Sequence, residues 1–362
     1  MGIRDHLRER YEEQNEETIG ERIEREFIEQ LNTYYAHPKS SFYIDRVERK
    51  FYEQKLRHLG FKPYPDDGVV TFGASGTDKC DREIYYRNQK IKPEKREDIP
   101  FRGRQRRQGT AIIDFVQLDI LHMPEVLGDA AKFRFAKLST GEYAFEDAAQ
   151  RRAVFTVRLP DGYVCKLAIT AKPDGILEYS HDGRRLLFEY KTKATGLRAM
   201  NQKLDHKGPD SHHLDQVVAE SLVFGIREGI ILYESTQKPS WFSDEDRKSV
   251  SKGQKTWADG EPLADLRAFY FCVTEEQQRK LLAKLALQAR NVYENVKPDV
   301  TVEMTGKCGF CPYFGHCQRD LSPENAETLR AAEENYAKSK FAGKVDHLNL
   351  LAYLAEVPDL GK

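Results

Sequence analysis

Three cysteines within ten residues, Cys308-Gly-Phe-Cys311-Pro-Tyr-Phe-Gly-His-Cys317, constrain this chain more than any other feature. Thiolates at C-x2-C-x5-C spacing can turn onto one metal centre from a single tight loop. Zinc sites and iron–sulfur clusters alike take four ligands, so this run is one short. The fourth donor is read as Cys80, in Ser75-Gly-Thr-Asp-Lys-Cys80-Asp-Arg82-Glu-Ile-Tyr-Tyr86. A metal on all four would fasten together the two ends of whatever domain lies between, closing a loop of more than two hundred residues. The remaining cysteines, Cys165 and Cys272, sit in strand patterns and read as core residues.

The metal reading depends on a reducing compartment. No apolar run approaches the roughly 18 residues of a membrane span, and Met1-Gly-Ile-Arg-Asp-His lacks the apolar core of a signal peptide. A cytoplasmic protein without a membrane partner is expected, where clustered cysteines serve as ligands rather than disulfides. The chain's 362 residues can bury a core for one large domain with additions or for two. Net charge is −1, so nucleic-acid binding has no global electrostatic signature. Locally, Arg102-Gly-Arg104-Gln-Arg106-Arg107 is dense in guanidinium groups. Such a cluster is ordinary surface unless a catalytic site stands beside it, where it would grip phosphates.

Residues 1–62 read as charged helices, the last ending near Leu59-Gly60-Phe61-Lys-Pro63. Ile112, Phe115, Val116 and Leu121 predict an amphipathic helix over 107–122. Strands are predicted at 153–159 and 163–171 around Pro160-Asp161-Gly162. A hairpin follows, Ile176–Ser180 and Arg185–Lys191, then a helix at 211–225 and a strand at 229–233. Residues 236–262, with Trp241 and Trp257, read as a loop or lid. A strand at 267–273 leads to a helix at 275–296 capped by Thr274 and Gln277. The central order is helix, three antiparallel strands, helix, strand.

The hairpin carries chemistry. With Asp182-Gly183 at the turn centre, Asp174 lies opposite Lys191, and Glu189 and Lys191 share one face. Leu177, Tyr179, Leu186, Phe188 and Tyr190 form the other, apolar face, leaving the chemical face open to solvent. Asp174 and Glu189 suit Mg²⁺ or Mn²⁺, with the Tyr190 carbonyl as third protein ligand. Such an ion would acidify a water and offset phosphate charge, and Lys191 would orient that water or stabilise the transition state. The competing reading is a surface cross-strand charge cluster. His212 and His213, without a further ligand at suitable spacing, read as helix-start or surface histidines.

Pro173-Asp174 followed by Glu189-Tyr190-Lys191 resembles the PD-(D/E)XK signature of metal-dependent nucleases. With one cysteine before the core and three after it, and with Ser75, Cys80, Arg82 and Tyr86 matching S-x4-C-x-R-x3-Y, the chain resembles the RecB/AddB-type iron–sulfur nucleases. That group includes the nuclease of CRISPR spacer acquisition. The resemblance implies an α/β fold: a restriction-endonuclease-like core with a mixed central sheet flanked by helices, plus an iron–sulfur-pinned helical region. It covers residues 70–320, leaving 1–69 as an N-terminal helical extension and 321–362 as a C-terminal helical tail. It implies a [4Fe–4S] cluster on Cys80, Cys308, Cys311 and Cys317, and a cation on Asp174, Glu189 and Tyr190. Arg102, Arg104, Arg106 and Arg107 would then hold DNA.

Two positions depart from the family pattern. Where G-x3-H supplies a metal ligand, Gly109 is followed by Ile113, which cannot coordinate. Gln117, one turn on, reads as a polar position that can alternatively lend its amide oxygen or a water. In the family's Q-x3-Y element Gln216 fits as a site residue, but Glu220 replaces tyrosine. The reading is an exonuclease on single-stranded DNA or DNA ends, working with recombination, repair or replication proteins. The alternatives are a catalytically silent DNA-binding or scaffold subunit, and a zinc protein that binds RNA or protein.

Overall fold

The computed structural model describes residues 17–60, 67–94, 100–146, 148–238, 264–300 and 311–330, the last range without 320, 325, 328 and 329. Cys308, Trp241 and Trp257 lie outside these residues. In chain order the elements are α1 (Ile19–Ala36), α2 (Asp45–His58), β1 (Thr71–Gly73), α3 (Asp81–Asn88), α4 (Pro100–Leu127), β2 (Phe133–Phe135), β3 (Arg151–Arg158), β4 (Val164–Ala171), β5 (Gly175–Tyr179), β6 (Arg185–Lys193), α5 (Leu197–Lys207), α6 (Ser211–Phe224), β7 (Glu228–Ser235), β8 (Leu266–Cys272), α7 (Glu275–Tyr293) and α8 (Phe314–Arg319). They divide into two compact units. The first holds residues 1–65, 104–153 and 170–278, the second 66–103, 154–169 and 279–362. Among the described residues no helix is long and apolar enough to cross a membrane.

The first unit is built on a five-stranded sheet of order β2-β5-β6-β7-β8. Strands β6 and β7 run parallel; every other neighbouring pair is antiparallel. Helix α1 opens with a reciprocal cap, Thr18 and Glu21 each bonding the other's backbone N–H. Its Ile23, Phe27, Leu31 and Tyr34 fall on one stripe and are at most 1% exposed, while its glutamates and arginines face water. Phe27 meets Phe133 and Phe188 edge-on, and Phe133 stacks on Tyr179 at 4.8 Å. Each such buried side chain contributes about 1.5–3 kcal/mol. That is how a helix of low mean hydropathy becomes core.

The order of helix, three antiparallel strands, helix, strand is met in part: two helices, α5 and α6, separate β6 from β7, and the strands have a different membership. Strands β3 and β4 join β1 in a separate three-stranded sheet. The third antiparallel strand is β2, whose Phe-Arg-Phe pairs with β5. Three residues are too few to show a period-2 pattern, so the sequence alone hides it. Helix α4 begins at Pro100 and runs 28 residues, longer at both ends than the predicted 107–122. Proline at the first helical position and the helix-favouring Arg and Gln that follow account for the early start. Phe115, assigned to its apolar face, is instead 53% exposed, while all of 116–123 are buried. This helix passes through the core rather than lying on it.

The hairpin register also differs from expectation. Gly175 pairs with Phe188 and Glu178 with Arg185, two residues away from the predicted alignment. Gly183, at φ 74°, closes a longer loop, donating its N–H to Tyr179 at 2.9 Å. Continuing that register sets Asp174 opposite Glu189 rather than Lys191. A shift of two keeps every side chain on its predicted face. Gly175 is required where it stands, since a Cβ there would meet the Phe135 ring at 2.4 Å.

In the second unit, β1 to β4 contact includes the Ala168 N–H to Val70 carbonyl bond. The Pro160-Asp161-Gly162 turn forms as expected, with Gly162 at φ 88°. Helix α7 reaches the segment before α3: Lys284 donates to Thr77 O at 2.8 Å, and Gln288 to Asp81 Oδ1 at 2.6 Å. Cys165 is buried on β4 as expected. Cys272 is not a core residue; as the last residue of β8 it is exposed.

Candidate active site

Strand β6 is the centre of the first unit's sheet, with β5 on one side and β7 on the other. Its Glu189 and Lys191 project on one face, and Asp174 enters from the residue before β5. The Tyr190 N–H donates to Asp174 Oδ2 at 2.7 Å, fixing that carboxylate against the strand. Lys191 Nζ donates to Glu189 Oε2 at 2.6 Å and to Gln216 Oε1 at 3.0 Å. Gln216, on α6, donates through Nε2 to Glu220 Oε1 at 2.9 Å. Asp174, Glu189, Lys191 and Gln216 are therefore one hydrogen-bonded group, with Glu220 as a fifth member.

This face is not open to solvent as expected. Glu189 is 1% exposed and Glu220 is fully buried, because α4 and α6 cover the sheet here. Burial changes the electrostatics. Desolvation, reinforced by the Glu189 charge, drives the carboxyl groups of Asp174 and of Glu220 well above the usual carboxylate range. Burial alone would also neutralise Lys191, but Glu189 and Asp174 outweigh it and hold the side chain as an ammonium.

Helix α4 adds a residue that the sequence left as merely polar. Gln117 is fully buried and donates Nε2 to the Asp174 backbone carbonyl at 2.9 Å, while Ile113 is 9% exposed. Its Oε1 has no hydrogen-bond partner; neither do Glu189 Oε1 and Glu220 Oε2. An orphaned buried oxygen costs about 1–3 kcal/mol. Gln117 Oε1 and Glu189 Oε1 are two such oxygens beside this group, while the Glu220 carboxyl meets Glu189. Gly109, two turns earlier on α4, would set a Cβ 3.4 Å from Thr192 Oγ1 of β6, so a small residue suits that close approach.

Asp119, on the same helix, anchors it. Its carboxylate accepts from Tyr34 (3.1 Å), Tyr35 (2.8 Å) and Tyr43 (2.8 Å), and Tyr34 also meets His122 Nδ1 at 2.9 Å. The signal in the sequence was Gln117, Asp119 and His122 interrupting an apolar run. Arg104, Arg106 and Arg107 lie within the exposed first turns of α4, not before it. The Arg102 side chain falls outside the described residues.

Asp210, His212 and His213 offer ligand atoms within 4.8 Å of one another. Those atoms have other partners. Asp210 accepts from Lys193 (2.6 Å) and Lys203 (2.5 Å). Burial pulls its carboxyl up, but the two ammonium groups hold it well below the usual range. His213 Nδ1 faces the Tyr233 hydroxyl at 2.7 Å. The histidines stand at a helix start as expected, with His212 exposed and His213 buried.

In the second unit Cys80 caps α3, and Cys311 and Cys317 flank the start of α8. Their charges act on one another. Burial pushes the Cys311 thiol up to about 11, and it raises Cys80 against the opposing N–H groups of Glu83 and Arg82. The buried Arg82 donates to Cys317 Sγ at 3.3 Å and to Pro298 O at 2.7 Å. Tyr86 packs on Tyr313 at 5.9 Å. Glu94 accepts from the Gly315 N–H at 2.9 Å, so α8 is tied to the segment after α3. The three thiols lie near enough for their charges to interact, with the Arg82 guanidinium beside the Cys317 sulfur, but their sulfur atoms do not all lie within 4.8 Å of one another.

No family model matches the chain, and no curated protein matches it. Among solved structures it is similar to SSO0001, at 13% identity and TM-score 0.36, over 76% of this chain and 95% of that one. It is also similar to an alkaline exonuclease (LHK-Exo) from Laribacter hongkongensis, at 11% identity and TM-score 0.32, over 63% of this chain and 92% of that one.

Proposed function

We propose that this protein is a metal-dependent deoxyribonuclease of the PD-(D/E)XK type, acting on single-stranded DNA or DNA ends. The observation that carries the reading is the set of orphaned buried oxygens around Asp174 and Glu189, beside an ammonium held by Glu189 and Gln216. Three carboxyl groups face one ammonium there, and burial drives two of them toward the protonated form; a divalent cation would let them ionise. Asp174, Glu189 Oε1 and Gln117 Oε1 would hold Mg²⁺ or Mn²⁺, together with the Tyr190 carbonyl. When bound, the cation supplies an acidified water and offsets charge on the scissile phosphate.

The chain's own residues do the rest. Tyr190 N–H fixes the Asp174 carboxylate, and Gln117 fixes the backbone beneath it. Lys191 stays protonated and donates to the attacking water or to the phosphate oxygen that gains charge. Gln216 holds that ammonium from the helix side. Arg102, Arg104, Arg106 and Arg107 would grip the backbone of the incoming strand. A [4Fe–4S] cluster on Cys80, Cys308, Cys311 and Cys317 would secure the second unit, with recombination, repair or replication proteins as partners in the cytoplasm.

Ile113 favours a second reading, a catalytically silent DNA-binding or scaffold subunit, because no imidazole is available at that turn. One assay separates the two. End-labelled single- and double-stranded DNA is incubated with anaerobically prepared protein and Mn²⁺ or Mg²⁺, with Glu189→Ala as control. Cleavage lost in Glu189→Ala is expected, with Mn²⁺ the better ion because Mg²⁺ tolerates an incomplete octahedral ligand set less well. Equal activity in Glu189→Ala would place any observed cleavage outside this site, and no cleavage by either protein would favour the silent subunit.

A further inference from the structure

The group that aims Lys191 is not itself aimed by the sheet. Gln216 has a symmetric-looking amide, and either end could face the lysine. An ammonium has only donors, so it must meet the amide oxygen; meeting the NH₂ would set donor against donor. What decides the orientation is the residue one helical turn later. Glu220 Oε1 accepts from Gln216 Nε2 at 2.9 Å, which leaves Gln216 Oε1 pointing to Lys191 Nζ at 3.0 Å. Lys191 then has two fixed acceptors, Gln216 Oε1 and Glu189 Oε2 at 2.6 Å.

We propose that Glu220 is a positioning residue that orients the Gln216 amide and, through it, the Lys191 ammonium; this rests on the nuclease reading of the site. Its Oε1 is committed to the Gln216 amide, and its carboxyl also meets Glu189. The arrangement also has a cost that structure alone does not justify. Glu220 is fully buried, and burial with the neighbouring Glu189 disfavours its charged form, so an apolar side chain of the same length would suit the packing better. The hydrogen bond it accepts from Gln216 gives a carboxyl group there a use.

This gives a variant that is expected to fold. Glu220→Met keeps the length and removes the acceptor, whereas Glu220→Gln keeps an acceptor and removes the charge. Glu220→Met should melt at or above the wild-type temperature and bind Mn²⁺ in calorimetry within about twofold of wild type. Its kcat should fall about tenfold to a hundredfold at unchanged KM, as for a misplaced catalytic group. Glu220→Gln should recover most of that loss. Wild-type kcat in Glu220→Met would overturn the proposal. So would a parallel loss of Mn²⁺ affinity in Glu220→Met and Glu220→Gln, which would make Glu220 an ion ligand.

If wild-type protein cleaves no DNA, the nuclease reading fails and the relay is still decided by NMR. The Gln216 side-chain NH₂, assigned from its disappearance in Gln216→Glu, should exchange slowly with solvent in wild type and in Glu220→Gln. It should exchange at least about tenfold faster in Glu220→Met, as local protection is lost. Equal exchange in all three proteins would refute the relay on its own.

Discussion

Asp174 and Glu189 are set by the register of paired strands, with Tyr190 and Gln117 bonding the neighbouring carboxylate and carbonyl. Cys80 caps α3, Cys311 precedes α8 and Cys317 lies within it, with Glu94 bonding the Gly315 N–H of α8 and Arg82 bonding the Pro298 carbonyl and the Cys317 sulfur. The first arrangement is held by the sheet and by the two helices that cover it. The second joins stretches far apart in the chain, Arg82 to Pro298 and Cys317 and Glu94 to Gly315. The first should therefore hold its fold whether or not it binds a cation, and the second should loosen if its thiols lose a bound metal.

Crossed substitutions should separate these two behaviours with the largest effects. Glu189→Ala is expected to lower cleavage at least about a thousandfold, the scale of losing a transition-state contact, while leaving iron content and melting temperature near wild type. Cys80→Ala or Cys317→Ala should lose iron, sulfide and the absorbance near about 400 nm, and should melt earlier. A Cys80→Ala protein with full iron and sulfide would erase the contrast, as would stoichiometric zinc without sulfide in anaerobically prepared wild type.

Within the first unit, rigidity should trace to Asp119. Asp119→Ala strips three tyrosine hydroxyls of their shared acceptor. A loss of about 3 kcal/mol is expected in denaturant unfolding. Hydrogen exchange should show the loss in the first unit alone; equal loosening of the second would contradict the separation.

A smaller effect concerns pH. Burial, helped by the Lys191 charge, lowers His213 from its usual 6.5 to about 3, so it is neutral in the folded protein. Below 6.5 the unfolded chain binds a proton that the folded chain refuses. The stability is therefore whole above 6.5 and declines as pH falls toward 3. Urea melts of wild type and His213→Gln should converge over that window, and parallel curves would show that His213 titrates freely. Smallest is the arginine cluster. Replacing Arg102, Arg104, Arg106 and Arg107 with Ala should reduce the salt dependence of DNA binding by about three units of slope, and an unchanged slope would return them to ordinary surface.

That Asp174, Glu189 and Lys191 come together was legible because side-chain alternation survives error. A register mistaken by two still set Glu189 and Lys191 on the face shared with Asp174. What could not be read was depth. Nothing in Glu189 announces that α4 and α6 cover it, since burial is decided by partners far along the chain. Gln117 was hidden for the same reason: a glutamine in a helix looks alike on a surface and in a core until its neighbours are known. Strand β2 was lost to brevity, and the start of α4 to arginines that read as a charge cluster first and as helix formers second. The N-terminal helices looked like a charged extension because Ile23, Phe27 and Leu31 are diluted by the glutamates and arginines between them.

That first helix has a consequence in time. Its Glu24 accepts the Tyr270 N–H, a partner 246 residues downstream, and its Gln30 side chain bonds both N–H and C=O of Phe133. At a ribosomal rate of roughly 5–20 residues per second, α1 emerges about ten to fifty seconds before β8 can receive it. Through that interval Ile23, Phe27 and Leu31 have no complete sheet to cover them. Slowing translation lengthens that interval and should lower the soluble yield rather than raise it.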